Sequence, residues 1–391
     1  MSRILQDRRI VIRSNFGEKI SGNYRGGVTI GNNERLISFF EKYGDRIKKI
    51  EIWNGWNFDS SNEITQDIVK KYAKNLEELR IIGLHLDRFW NGISNGENGI
   101  IFPEVKKFQI DGDIRRNEFK LNLIFPKLES FTLNGEINDR NCLENVTGLR
   151  ELELYTRSIN EQKFDGIFVN NKNMTKILLA APKMRETMQS IAKHLTKLKT
   201  LAVTFPGENF LLRTNNNAVY ELQSVTHFDI TFGKIGELFG IGDLDLSFDM
   251  PHLKKITMTG YEADDRIVNF IKHFKELEKV KLSIRTHNTV ECIEKLTHIK
   301  EFTIPFAGNR FESLKNMFKN FDKESKLQTI KFLHFPASFY EEYENEMKEI
   351  NIHLKSSMKP TWTLSHEQKI WTGQTYLMFS RDPCKCKSCE K

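Results

Sequence analysis

Residues 149–154 read Leu149-Arg150-Glu151-Leu152-Glu153-Leu154, and the spacing of the three leucines decides the fold. Leu152 and Leu154 are two positions apart, so on an extended chain both side chains leave the same face. Leu149 then packs into the bend that leads in. A single strand of this kind cannot bury its own apolar face, so it needs equivalent neighbours.

The neighbours are present. The pattern apolar-x-x-apolar-x-apolar occurs upstream as Ile47/Ile50/Ile52, Leu76/Leu79/Ile81, Val105/Phe108/Ile110 and Leu128/Phe131/Leu133. Downstream it continues as Met174/Ile177/Leu179, Leu198/Leu201/Val203, Val225/Phe228/Ile230, Leu253/Ile256/Met258, Leu277/Val280/Leu282, Ile299/Phe302/Ile304 and Leu327/Ile330/Phe332. Twelve copies follow one another at intervals of 21 to 29 residues, within the range of about 20–29 residues typical of leucine-rich repeats. Stacked in parallel, such strands pool a continuous core, each repeat touching mainly its neighbours. The expected fold is therefore α/β: a leucine-rich-repeat solenoid of about twelve repeats, with a curved parallel sheet inside and helices and loops outside.

Several return segments carry helical spacing: Ile64/Ile68/Tyr72, Met184/Met188/Ile191/Leu195, Ile267/Phe270/Ile271/Phe274 and Phe311/Leu314/Phe318/Phe321. The segment 134–146 is too short and polar for a full helix. The asparagine that often follows the third apolar position, and that satisfies backbone groups at the turn, is replaced by Gly55, Leu84, Asp113 or Glu136. Those turns must be satisfied in another way. Phe108, Phe131, Phe228, Phe302 and Phe332 occupy core slots, which accounts for part of an unusually large content of 29 Phe.

The ends depart from the pattern. Arg9–Ile12 and Gly27–Ile30 read as strands, and Leu36, Ile37, Phe39 and Phe40 as a helix, together an N-terminal cap over residues 1–45. The repeats span 46–335. Residues 336–380 form a C-terminal cap, with a charged amphipathic helix over 337–357 and two strands containing Trp362, Trp371 and Tyr376–Phe379 around a Thr372-Gly373 turn. Residues 381–391 are a Cys/Lys-rich tail. Its Cys384, Cys386 and Cys389 have thiolate spacing suited to a soft metal, but no fourth ligand lies nearby, and no metal or cofactor is assigned.

The chain has 391 residues and a net charge of +7, from 59 basic and 52 acidic residues. It has no apolar run long enough for a transmembrane helix. Charges fall within the first ten residues, so no secretory leader is expected. Five cysteines make no disulfide framework. A cytoplasmic or nuclear setting is expected, and the sequons at Asn145 and Asn173 are then unused. No phosphate loop, zinc helix, nucleophile turn or dinucleotide fingerprint is present, so an enzyme is not expected. His227 should face outward beside Phe228, and Asp264-Asp265 suits a helix N-terminus.

The residues between the core positions should form the inner surface. Trp53, Arg80, Lys107, Tyr155, Lys255, Lys279 and Lys281 are the candidate contacts for a protein partner, since exposed aromatics and charges anchor such interfaces. Trp56 lies in the loop next to Trp53, and both could instead fold onto the N-terminal cap. A basic cluster at Lys254, Lys255, Lys279 and Lys281 raises nucleic acid as the alternative. Phosphate tracking calls for a continuous basic stripe, and signs are mixed in the N-terminal half.

The repeats, with the opening Arg3-Ile4-Leu5-Gln6-Asp7-Arg8-Arg9-Ile10-Val11-Ile12, resemble the repeat region of insect-type F-box proteins and its junction with the F-box. The resemblance implies a substrate receptor of a cullin ubiquitin ligase, in which the F-box docks the adaptor and the repeats hold the substrate. The helical F-box itself is absent from this sequence. The expectation is either a fragment lacking its start or a receptor that acts without a ligase.

Overall fold

The computed structural model describes residues 9–13, 27–30, 33–54, 60–83, 90, 100–114, 119–139, 141–155, 163–180, 184–205, 219–232, 248–259, 265–283, 295–305, 326–333, 345, 348–349, 351–352, 362–369 and 374–381. The chain divides into two compact units, Met1–Leu198 and Lys199–Lys391. Both are α/β and are built on a long, mostly parallel sheet.

In the first unit the strands are β1 (Arg9–Arg13), β2 (Gly27–Ile30), β3 (Lys49–Asn54), β4 (Glu78–Gly83), β5 (Lys107–Asp111), β6 (Ser130–Asn134), β7 (Glu151–Leu154) and β8 (Lys176–Ala180). Their spatial order is β2-β1-β3-β4-β5-β6-β7-β8, and every pairing is parallel. Each apolar triplet puts its second and third members on a strand. The register is set by those residues: Ile50, Leu79, Phe108, Phe131, Leu152 and Ile177 lie opposite one another in succession, as do Ile52, Ile81, Ile110, Leu133, Leu154 and Leu179. All are buried, and the residues between them are more exposed. A one-residue slip would turn both rows to the opposite face.

The second unit repeats the scheme with β9 (Thr200–Phe205), β11 (His227–Phe232), β13 (Lys255–Thr259), β14 (Lys279–Ser283), β15 (Glu301–Pro305) and β16 (Thr329–Leu333), in that spatial order. Leu201, Phe228, Ile256, Val280, Phe302 and Ile330 form its inner row. The sheet then changes sense: β18 (Gln374–Arg381) pairs antiparallel with β16, and β17 (Trp362–Lys369) antiparallel with β18. Phe379 packs edge-on against Phe332 there. A short parallel pair, β10 (Tyr220–Glu221) and β12 (Phe248–Asp249), lies apart from the main sheet.

Helices fill the returns: α1 (Asn33–Tyr43), α2 (Ser60–Tyr72), α3 (Leu121–Ile124), α4 (Phe164–Asn170), α5 (Met184–His194) and α6 (Asp265–Lys272). The spacings on α2, α5 and α6 bury Ile68 and Tyr72, Met188 and Ile191, and Ile271. The described residues of 134–146 are without helix. The helix α4 is not announced by the sequence, because it is only seven residues long and holds a glycine, Gly166, on its exposed face. Phe311–Phe321, the turn at Thr372-Gly373, the tail cysteines, Trp56 and most of 337–357 lie outside the described residues.

The turns reveal a fourth, mostly apolar position three residues before the triplets. Its carbonyl accepts the N–H of the first triplet residue: Gly44 for Ile47, Ala73 for Leu76, Phe102 for Val105, Phe125 for Leu128, Leu195 for Leu198, Leu222 for Val225, Met250 for Leu253, Phe274 for Leu277 and Leu296 for Ile299. These residues are buried. The next carbonyl along then accepts two N–H groups from the following repeat. Lys48 receives Glu77 and Glu78, Glu77 receives Lys106 and Lys107, and the scheme recurs through Lys300, which receives Gln328 and Thr329. Backbone thus satisfies backbone at the entry to the strands. At the exit slot that an asparagine often fills, Asp113 Oδ1 accepts the N–H of Glu136 at 3.0 Å, and Gly55 and Leu84 lie outside the described residues. Aromatic rings reinforce the stacking in the first unit. Phe125 stacks on both Phe102 and Phe108, Phe108 stacks on Phe131, and Trp90 closes edge-on over Phe108, Phe119 and Phe125.

Candidate functional site

Strand alternation that buries the triplets turns the intervening residues to the opposite face of the sheet. In the first unit the register places Lys49, Glu78, Lys107, Ser130, Glu151 and Lys176 in one row. Glu51, Arg80, Gln109, Thr132, Glu153 and Leu178 form the next. Charges alternate between adjacent strands, and opposite charges facing across a sheet stabilise it by about 0.2–1 kcal/mol per pair.

Trp53 and Arg80, two of the candidate contacts, are joined through Glu51. The Trp53 indole N–H donates to Glu51 Oε1 at 2.6 Å. The Arg80 guanidinium donates to Glu51 Oε2 at 3.3 Å and, through Nη2 and Nε, to Asp111 Oδ2 at 2.8 and 3.1 Å. Arg9 of β1 adds ion pairs to Glu51 and Glu78. The Glu51 side chain is only 9% exposed, so two arginines compensate one largely desolvated carboxylate. Arg80 is thereby held as an internal strut, with its guanidinium engaged on both flanks. Glu51 and Asp111 were not legible as its partners, because they come from other strands dozens of residues away.

Lys107 is exposed in the row between Glu78 and Ser130. Tyr155 follows β7 and is 47% exposed. Burial of part of its ring and the neighbouring Glu153 carboxylate hold its phenol above the usual tyrosine range. Glu153 also receives Lys176 Nζ at 2.5 Å, and that hydrogen bond raises the lysine further above its ordinary value. The structure therefore brings Trp53 and Arg80 together and leaves Lys107 and Tyr155 as separate exposed positions on the same sheet face.

In the second unit Lys255, Lys279 and Lys281 do cluster. Lys255 and Lys279 are directly opposite, and Lys281 lies two residues along β14 between Thr257 and Thr303. Lys279 Nζ is engaged by Glu301 at 2.7 Å. Lys254 occupies the turn row beside Glu278, whose carboxylate is held below its usual range chiefly by the hydrogen bond from Lys300. His227 is exposed on β11, as its strand position requires.

Chemistry-bearing side chains elsewhere are engaged structurally. Ser190 Oγ donates to Asp165 Oδ1 at 2.8 Å, and His194 Nε2 meets the same oxygen at 2.9 Å. Serine and histidine both address the aspartate, so the histidine is not poised to accept the serine proton. The trio joins α5 to α4. Burial pushes the Cys142 thiol far above the range of a reactive cysteine. Among the described residues no three His, Cys, Asp or Glu side chains converge to hold a metal, and no helix is long and apolar enough to cross a membrane. Comparison with models of known families and with curated proteins gives no match.

Proposed function

We propose that this chain is a non-enzymatic scaffold whose repeats, a leucine-rich-repeat solenoid, hold a protein partner on the strand face. The observation that supports it most is the unbroken register of the apolar triplets within each unit. That register spends the sequence repeat on a core and leaves rows of polar and aromatic side chains on a preformed surface. Binding to such a surface costs little ordering entropy, so a few anchors suffice. Tyr155, Lys107, Lys255 and Lys281 are the anchors whose side chains are least engaged internally. By resemblance, the same surface would hold the substrate of an F-box type receptor, with the cullin-ligase adaptor bound by a segment outside this sequence.

Quantitative affinity capture with the chain as bait tests the reading. Proteins recovered by the wild type should be lost with Tyr155→Ala plus Lys107→Glu, or with Lys255→Glu plus Lys281→Glu. They should be kept with Lys193→Glu on α5. An identical set from all baits removes the strand face from consideration. Recovery of a cullin adaptor with the chain alone would show that a separate F-box is dispensable.

A further inference from the structure

Building on the protein-binding reading, we propose that the strand face of β13 to β16 docks an acidic, extended polypeptide segment, anchored by Lys255, Lys281 and Lys331. Register-matched charges on the other strands of the sheet are opposite in sign, as at Lys49 with Glu78, Glu78 with Lys107, Glu151 with Lys176 and Lys279 with Glu301. Within the main sheet Lys255 facing Lys279 is the exception among the described strand pairs; the separate β10–β12 pair sets Glu221 opposite Asp249. Like charges directly opposite destabilise a sheet, so this site gives up stability where its neighbours gain it.

Glu301 relieves Lys279 but leaves the other ammonium groups without a carboxylate among the described residues. Lys281 and Lys331 belong to one row, separated by Thr303. With strands about 4.8 Å apart, they stand about 10 Å from each other, and Lys255 is about 8 Å from Lys281 on the diagonal. Carboxylates two residues apart on an extended chain leave the same face about 7 Å from one another, a gap that flexible lysine stems can meet. Thr257, Thr303 and Thr329 surround the lysines on the same face and add hydroxyl donors suited to carboxylate or backbone oxygens. Among the residues whose side chains are described, the acidic groups on this face are Asp229, a strand beyond Thr257, and Glu301. Four lysines therefore face two carboxylates here, whereas the equivalent rows of β3 to β8 are balanced. An acidic peptide fits the patch better than a nucleic acid, because the basic side chains form a compact group on β13, β14 and β16 and not a stripe along which phosphates could run.

The test is fluorescence anisotropy with the full chain and a labelled peptide of about twelve residues alternating Glu and Ser, at low ionic strength. Saturable binding is expected, weakening as salt is added. The Lys281→Glu plus Lys331→Glu variant should bind about tenfold more weakly, and Lys107→Glu on the first unit within about twofold of wild type. Far-ultraviolet circular dichroism checks that both variants keep the fold. No binding of the acidic peptide, equal loss in both variants, or tighter binding of a single-stranded oligonucleotide of matched charge each overturns the proposal. If the peptide fails while partner capture still depends on strand-face residues, this inference falls and the scaffold reading stands.

Discussion

The side-chain oxygen of Asn171 accepts the backbone N–H of Leu149, one repeat earlier, at 2.8 Å. In ten of the other repeats that N–H is satisfied by the carbonyl three residues upstream. Here Gly148, at φ +86, turns the chain so that the N–H of Leu149 leaves the Val146 carbonyl, and Asn171 supplies both missing partners. Its amide donates to the carbonyls of Val146 and Ile167, each at 2.8 Å. The residue is 2% exposed and occupies the fourth position of its own repeat. Asn171→Leu should destabilise the first unit by about 2–4 kcal/mol, since it strands a buried N–H and two buried carbonyls. Chemical denaturation measures it; a loss below that of an ordinary surface substitution would show that the turn rearranges freely.

Close backbone approach makes a second demand. Gly135 adopts φ +151, and a Cβ there would lie well inside van der Waals contact with the carbonyl of Gly112. The obstacle is backbone, not a flexible side chain, and Gly112 is itself fixed by donating its N–H to Asn134 O at 2.8 Å. Gly135→Ala should cost about 2 kcal/mol or more, visible as a lower thermal midpoint. Wild-type stability would mean that β5 and β6 can separate at this end without penalty.

The opposite sign is expected at Gly166. It lies inside α4, is exposed, and a Cβ there would meet nothing within 4 Å. Replacing a mid-helix glycine with alanine removes backbone freedom from the unfolded chain. Gly166→Ala should therefore stabilise by about 0.5–1 kcal/mol. Denaturant titration against wild type decides it, and a destabilised variant would contradict the helical assignment of 164–170.

The triplets were legible because three apolar residues at fixed spacing recur with no copy missing, and the register then follows from their burial. The fourth position was not legible. It is filled by Gly44, Ala73, Phe102 and Asn171 in different repeats, and only the turn geometry unites them. Nor could sequence show that Arg80 is engaged. Its acidic partners sit on other strands 29 and 31 residues away, and only the register brings them to it. The grouping of Lys255, Lys279 and Lys281 was visible from equivalent repeat positions, whereas Glu301 as the partner of Lys279 needed coordinates. The helix α4 escaped because its seven residues carry only one turn of stripe, Phe164, Ile167 and Phe168, beside a glycine and before an asparagine-rich end.

Acid should weaken the second unit through His298. Partial burial holds its imidazole below the ordinary histidine value, with Lys326 and Lys272 adding repulsion and a backbone hydrogen bond at Phe274 acting in the opposite direction. Below about pH 6.5 the unfolded chain takes up a proton that the folded chain resists. The unfolded state then binds more protons than the native state, so stability rises with pH and falls on acidification. The loss begins near pH 6.5 and ends once the pH has dropped through the lowered native value. His298→Gln removes the titrating group, so the difference in unfolding free energy between variant and wild type should shift in the variant's favour from pH 7 to pH 5. A pH-independent difference would show that His298 takes up its proton as easily folded as unfolded.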